Sequence, residues 1–247
     1  AQVTPELWRW FSVAELLEGR LIALSGGTAT HDKTTQDQLR ESALAHLATA
    51  GEYGMRASVQ RLVHDAAGEL WNVAVYLLGS AATRRMLFLP LKKVLEQLAK
   101  VKDRSDMNLR VSLFTALFEC YRDNEDWSGG LAAVESAFQI IPQALQKRLW
   151  EAHVIFSSKL DRDVAAGLHR MKEGTPALQA KAWATLARNS ANKADQMRAY
   201  LSALELLKDS FERCDYLIEL AEWLHANHYP RDDITQCLLA AADLILD

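Results

Sequence analysis

Large apolar residues return along this chain at a nearly constant step. Phe114, Leu149, Trp183 and Leu217 follow one another at separations of 35, 34 and 34 residues. A step this regular constrains the fold more than any single motif does. A short unit that repeats cannot bury its apolar face alone and must stack on the next copy. The clearest copy runs from Phe114 to Pro142. Phe114, Leu117 and Tyr121 stand three and four residues apart and share one helical face. A turn is predicted at Asn124-Glu125-Asp126. A second helix then carries Gly130, for close approach, with Val134 and Ala137 facing the first helix. Pro142 ends it, since proline cannot continue a helix interior. Phe118 is bulky where such a hairpin prefers glycine, which predicts either a wider spacing or a side chain turned into a neighbouring unit.

The anchors Phe114-x2-Leu117-Phe118-x2-Tyr121 and Gly130-x3-Val134 resemble those of tetratricopeptide (TPR) repeats, helix pairs of about 34 residues. The third copy keeps Trp183, Leu186 and Ala187, then Tyr200, Ala203 and Leu206, with a shortened turn around residues 189–193. The fourth keeps Leu217, Leu220, Ala221 and Leu224, breaks at Tyr229-Pro230 and continues through Ala240. The second is degenerate, with Ala152 and His153 at its packing positions. Residues 105–247 therefore read as TPR-like repeats at about 108–142, 143–174, 175–209 and 211–247, and residues 1–104 as degenerate helical hairpins. The fold expected is all-α, a right-handed superhelix of about twelve helices in antiparallel pairs, forming one continuous solenoid.

In chain order, a first helix is predicted over Pro5–Leu24, anchored by Trp8, Phe11, Leu17, Leu21 and Leu24 and ended by Ser25-Gly26-Gly27. A second spans about 35–56, with Leu39, Ala43, Leu47 and Ala50 on one face. A third is capped by Ser58 and runs to Leu78. A fourth runs from about Ala81 to Lys102, with a kink at Pro90. Ser105-Asp106 starts the fifth and Pro142 opens the seventh, through Ser158. Asp161 opens the eighth, which Gly174 ends. Thr175-Pro176 starts the ninth, a cap followed by proline at the first helical position. The tenth, eleventh and twelfth follow at about 193–207, 211–227 and 230–245. The seven tryptophans are spread over the chain, as core residues of successive hairpins would be.

The chain has 247 residues, a net charge of −4 and a pI near 6.0, which does not suit a dedicated nucleic-acid binder. Cys120, Cys214 and Cys237 lack metal-ligand spacing, and their odd number fits a reducing compartment. No apolar run approaches the roughly 18 residues needed to cross a bilayer, and the N-terminus lacks the pattern of a signal peptide. The missing initiator Met and the apolar Leu244 and Ile245 near the end lead to the expectation of a segment of a longer array.

Few residues suggest chemistry. His225 and His228, near Asp232 and Asp233, are conceivable metal ligands, but the Tyr229-Pro230 break separates the pairs, and solvated histidines beside a turn are the simpler reading. Cys120 reads as a packed residue rather than a nucleophile. Ser25-Gly26-Gly27 follows a helix, not a strand, and makes a poor phosphate cradle. No catalytic, cofactor or metal site is therefore expected. Charge is more informative. Between residues 84 and 104 lie seven bases, Arg84, Arg85, Lys92, Lys93, Lys100, Lys102 and Arg104, against Glu96 and Asp103, an excess of five. From Glu205 to Asp247 ten acids face three bases, a deficit of seven. Both are readable as solvated helix faces. The alternative is that the basic stretch docks an acidic partner by electrostatic steering.

The segments at residues 146–159, QKRLWEAHVIFSSK, at 171–188, MKEGTPALQAKAWATLAR, at 199–208, AYLSALELLK, and at 215–233, DYLIELAEWLHANHYPRDD, resemble the large TPR-type cilia- and flagella-associated proteins; LWRWFSVAELLEGR near the N-terminus also fits. The resemblance covers most of the chain and rests on general similarity, not on a catalytic signature. It implies a structural subunit of the axonemal central apparatus, on the projection called C1d, with other large subunits as neighbours and calmodulin and microtubules as further contacts. It implies no catalytic residues. The other readings are a cytosolic TPR-like adaptor and a helical enzyme whose site residues lie far apart in sequence.

Overall fold

A computed structural model of the chain describes residues 3–26, 32–102, 105–160, 162, 164, 168, 175–207 and 211–246. Among these residues every regular element is a helix, as the repeat spacing predicts. The chain divides into two compact units, Ala1–Leu149 and Trp150–Asp247.

The first unit contains α1 (Pro5–Gly26), α2 (Lys33–Arg56), α3 (Gln60–Ala74), the short α4 (Ala81–Arg84), α5 (Phe88–Lys100), α6 (Met107–Asp123), α7 (Trp127–Ile140) and the four-residue α8 (Gln143–Gln146). Helix α1 packs along α2, α2 on α3 and α5, and α6 on α5 and α7. Leu44, Leu47, Leu70, Leu91, Leu98, Leu113 and Phe118 lie at its centre. Phe118 does not widen the hairpin into solvent: it is buried and stacks on Phe114 at 6.0 Å. The close approach of α7 to α6 is seen at Gly129, where a β-carbon would come within 2.8 Å of the Tyr121 ring. Arg110 is buried, and its guanidinium donates to the carbonyl of Leu98 at 2.7 Å. That places a cation on a carbonyl of the last turn of α5, which also accepts from Val101 N–H at 3.2 Å, where the helix dipole favours a positive charge.

The second unit contains α9 (Trp150–Lys159), α10 (Pro176–Asn189), α11 (Lys193–Leu206), α12 (Glu212–Ala226) and α13 (Arg231–Leu246). Two hairpins, α10–α11 and α12–α13, enclose Trp183, Leu186, Tyr200, Leu217, Leu220 and Leu224. The Thr175 hydroxyl accepts from the backbone N–H of Leu178 at 3.3 Å, with Pro176 in the first turn. Asn192 caps α11 by accepting from Ala194 N–H at 2.9 Å.

Three connections share one geometry. Ser58, Glu125 and His228 are the described non-glycine residues with positive φ, at 58°, 52° and 61°. Each directly follows a C-cap residue, Ala57, Asn124 or Asn227, and each cap is closed by the same pair of bonds. Ser58 and Val59 donate to Met55 and Gly54; Glu125 and Asp126 to Arg122 and Tyr121; His228 and Tyr229 to His225 and Leu224. This is the left-handed cap that satisfies the last carbonyls of a helix. The three positions lie close to two and to three steps of the 34-residue repeat apart. Asp126 serves both sides of its turn: its carboxylate accepts from Gly129 N–H at 2.9 Å and starts α7.

Several expectations need correction. Ser58 does not cap α3; it sits in the left-handed turn, and Val59 occupies the cap position. The fourth helix is broken at Arg85–Leu87 rather than kinked at Pro90. Pro90 has no N–H and its ring would strike the carbonyl four residues earlier, so α5 restarts at Phe88, with Pro90 in its first turn. The seventh helix is interrupted at residues 147–149, where Gln146 donates back to the carbonyls of Phe138 and Ile141, at 2.8 and 2.9 Å. Of the tryptophans, Trp183 is buried, five are half-buried and Trp10 is 68% exposed. Leu17, Leu21 and Leu24 do not anchor α1 either; its buried residues are Ser12, Leu16, Gly19 and Gly26. The eighth helix, at 161–174, falls largely outside the described residues.

Candidate functional site

The basic stretch is divided by its own packing. The guanidinium of Arg84 donates to both carboxylate oxygens of Asp123, at 2.6 and 2.9 Å, and to the carbonyl of Leu78 at 2.7 Å. These bonds hold the Asp123 carboxyl below its usual range and tie α4 to the end of α6. Lys93 reaches Glu52 on α2 at 2.7 Å, and Glu52 also pairs with Arg56. Two of the seven bases are therefore engaged inside the unit. Arg85, Lys92, Lys100 and Lys102 are exposed. Lys92 and Lys100 stand on α5, whose opposite side carries the buried Leu91, Val94, Leu95 and Leu98. Arg104 lies outside the described residues. Four exposed cations spread over one helix and its ends can bind an acidic surface.

The other candidates are accounted for by packing. The Cys120 thiol is buried and points at the carbonyl of Arg84, 3.3 Å away. Burial, with a smaller push from Asp123, raises it to about 12, so the thiolate needed by a nucleophile is scarce at neutral pH. Ser25 donates back to the carbonyl of Leu21 at 3.0 Å within its own helix. His228 forms the left-handed turn after α12, and its pairing with His225 is through the backbone, N–H to carbonyl at 3.1 Å. His225, His228, Asp232 and Asp233 do not form one of the potential metal-ligand groups found among the described residues. A different trio does come together: Glu15 and Glu18 of α1 with His46 of α2. Nδ1 of His46 lies 2.7 Å from Glu15 and 3.8 Å from Glu18, on the solvent side of the α1–α2 contact. Sequence reading misses it because its members lie on two helices and become neighbours only when α1 packs on α2.

In the second unit a polar and aromatic cluster joins the two hairpins. Arg188 of α10 donates twice to Glu219 of α12, both at 2.6 Å, and the Tyr200 hydroxyl of α11 donates to the same carboxylate at 2.9 Å. Burial pushes the Glu219 carboxyl up, but the hydrogen bonds from Arg188 and Tyr200 outweigh it and leave it below its usual range. Tyr200 is raised, by burial and by that carboxylate. Beside them the Trp223 indole donates to Gln196 at 2.8 Å and its ring packs on Tyr229 at 5.4 Å. The members come from three helices and one turn, and every polar contact is internal. The arrangement fixes the stacking of hairpins.

No family model matches the chain. Its sequence is similar to a stretch of a much longer protein: it is 27% identical over 250 residues, along the whole of this chain and 9% of the relative's length, to Cilia- and flagella-associated protein 46 of Chlamydomonas reinhardtii.

Proposed function

We propose that this chain is a non-enzymatic structural segment that holds partner proteins in a cilium or flagellum. The observation that carries the reading is similarity along the entire chain to a cilia- and flagella-associated protein. The all-α build and the recurring left-handed caps support it, since stacked helix pairs offer an extended surface to a segment or helix of a partner. In this reading the pairs continue as one TPR-like right-handed superhelix within the axonemal central apparatus. Its neighbours are the other large subunits of the C1d projection, with calmodulin and microtubules as further contacts. Arg85, Lys92, Lys100 and Lys102 face an acidic neighbour.

Cross-linking of intact axonemes followed by peptide mapping tests the assignment. Links from this segment to other large central-apparatus subunits are the expected result. Absence of the protein from isolated axonemes would overturn it in favour of a cytosolic adaptor. For the basic surface, reversing the charge of Lys92, Lys100 and Lys102 together is expected to weaken capture of the cross-linked neighbour at low salt. Capture that is unchanged would remove these residues from the interface.

A further inference from the structure

A groove runs between α3 and α6, which lie side by side and point the same way. Its first part, a cavity of about 440 Å³, is lined by the start of α6 and by His64, Gly68 and Asn72 of α3. Its second part, of about 260 Å³, is lined by Leu78 and by Ser112, Thr115 and Ala116 of α6. The half-buried Trp71 lines both parts and joins them. Steps of three and four bring His64, Gly68 and Trp71 to one face of α3. The walls are interior to the first unit: Arg20 of α1 lines the first part and Arg148 the second.

Gly68 points to an occupant. Glycine in the middle of a helix is unfavourable relative to alanine. Close packing explains Gly19 and Gly51, where a β-carbon would strike Leu47 or Gln97. At Gly68 a β-carbon would meet no neighbouring atom within 4 Å, and no described glycine has a positive φ. The missing side chain serves no contact within the chain, and it opens the groove beside Trp71. Polar groups are also left over. His64 Nε2 is buried with no hydrogen-bond partner, and the side chains of Asn72 and Ser112 have none among the described residues. An extended segment brings unpaired N–H and C=O groups to such positions, whereas a helix has already satisfied its own. The two parts differ in charge. Asp65, with 43% of its side chain exposed, and the exposed Asp106 line the first, where Arg20 is tied to Glu69. In the second, Arg148 is exposed and has no acidic partner among the described residues, and Glu119 is paired with Arg122 at 2.9 Å.

We propose that this groove holds an extended segment of a partner protein, with a large apolar side chain over Gly68 against Trp71, a basic side chain toward Asp65 and Asp106, and an acidic one toward Arg148. The inference rests on the reading of the chain as a holder of partner proteins and gives one partner its chemistry. Helix α6 rises about 20 Å from Asp106 to Glu119, which about six residues of extended chain span. The two charges of the segment therefore stand about six residues apart, with the apolar residue between them.

Selection of phage-displayed random peptides on the immobilised chain tests the proposal. Enriched sequences are expected to carry a basic and an acidic residue about six positions apart, with an aromatic or aliphatic residue between. A synthetic copy of the most enriched peptide is then titrated by fluorescence anisotropy. Gly68→Ala should raise the Tm by about 3 °C, because its methyl enters open space and the helix prefers it. Gly68→Leu should keep the native Tm or exceed it, and weaken the peptide about tenfold or more. Thr115→Trp, on an exposed position of α6, is a second block that fills the other part of the groove. Asp65→Lys with Arg148→Glu should favour the copy of the peptide whose two charges are exchanged, an outcome that loss of structure does not produce. The proposal is overturned if no sequence is enriched, or if the folded Gly68→Leu and Thr115→Trp variants bind the peptide as tightly as the native chain. A gain of helical circular dichroism by the bound peptide would assign the groove to a helix instead, and a dimer of the chain that Gly68→Leu abolishes would assign it to a second copy. Cross-links from this segment in axonemes without any enriched peptide would remove the groove and leave the structural reading standing. Enrichment by a chain absent from axonemes would remove only the ciliary setting.

Discussion

Asp126 closes one helix and opens the next, and a short substitution series separates the two tasks. Its backbone N–H donates to the carbonyl of Tyr121 at 3.1 Å and completes the left-handed cap of α6. Its side chain accepts from Gly129 N–H at 2.9 Å and from the Ser128 hydroxyl at 3.2 Å, and starts α7. Asp126→Asn keeps an acceptor at the cap and should change stability by no more than a few tenths of a kcal/mol. Asp126→Ala keeps the backbone bond and loses the cap, at a cost of about 1 kcal/mol. For a unit the size of residues 1–149 that is a fall in Tm of about 3 °C. Asp126→Pro also deletes the N–H and places a proline after Glu125, whose φ of 52° a following proline disfavours. The combined cost is about 3 kcal/mol or more, near 10 °C. Thermal unfolding followed at 222 nm reads all three. If alanine is as mild as asparagine, or proline no worse than alanine, then Asp126 does not perform both tasks and the shared turn is not what joins these helices.

Trp183 is 5% exposed within the hairpin core, so Trp183→Ala should remove about 3–5 kcal/mol and lower the Tm of the second unit by more than about 12 °C; a shift near zero would contradict its placement. The Glu219 carboxyl is held low by Arg188 and Tyr200 against its burial. Its contribution is therefore present above the ordinary carboxyl value and lost as pH falls through the lowered one, so the urea midpoint should drop on acidification below about pH 5, and Glu219→Gln should flatten that drop. Cys120 and Cys214 are buried while Cys237 is only partly so. A thiol reagent under native conditions should label Cys237 first, with Cys120 last because burial raises its thiol to about 12; equal labelling rates would mean that α6 opens locally.

The repeat was legible because its signal lies in large residues at fixed spacing. Phe114, Leu117 and Tyr121, Trp183 and Leu186, and Leu217, Leu220 and Leu224 all reach the core. Caps with a side-chain mechanism, at Asp106 and Thr175, were legible for the same reason: an oxygen three residues ahead of an orphan amide leaves a pattern in the chain. The turn at Asn124-Glu125-Asp126 was legible too, but the left-handed geometry was not, because Ser58, Glu125 and His228 are not the glycines that such positions favour, and the backbone bonds that hold them leave no mark on composition. The basic stretch shows a similar limit. Sequence counts charges, but only the fold reveals that Arg84 and Lys93 are engaged by Asp123 and Glu52, from elements far away in the chain.

Helix α1 carries the most instructive discrepancy. Its apolar anchors by sequence, Trp8, Phe11, Leu17, Leu21 and Leu24, read as the inward face, yet the buried residues are Ser12, Leu16, Gly19 and Gly26. The reason is geometric. Small residues gain by letting two helices approach until backbone atoms touch, and that gain is carried by Ala43, Leu47 and Leu39 of the facing helix rather than by α1 itself. A periodicity argument ranks faces by the size of their own side chains, so it assigns the core to the wrong side whenever the bulk is supplied by the partner. The large residues of α1 then lie on the side that it does not bury against α2.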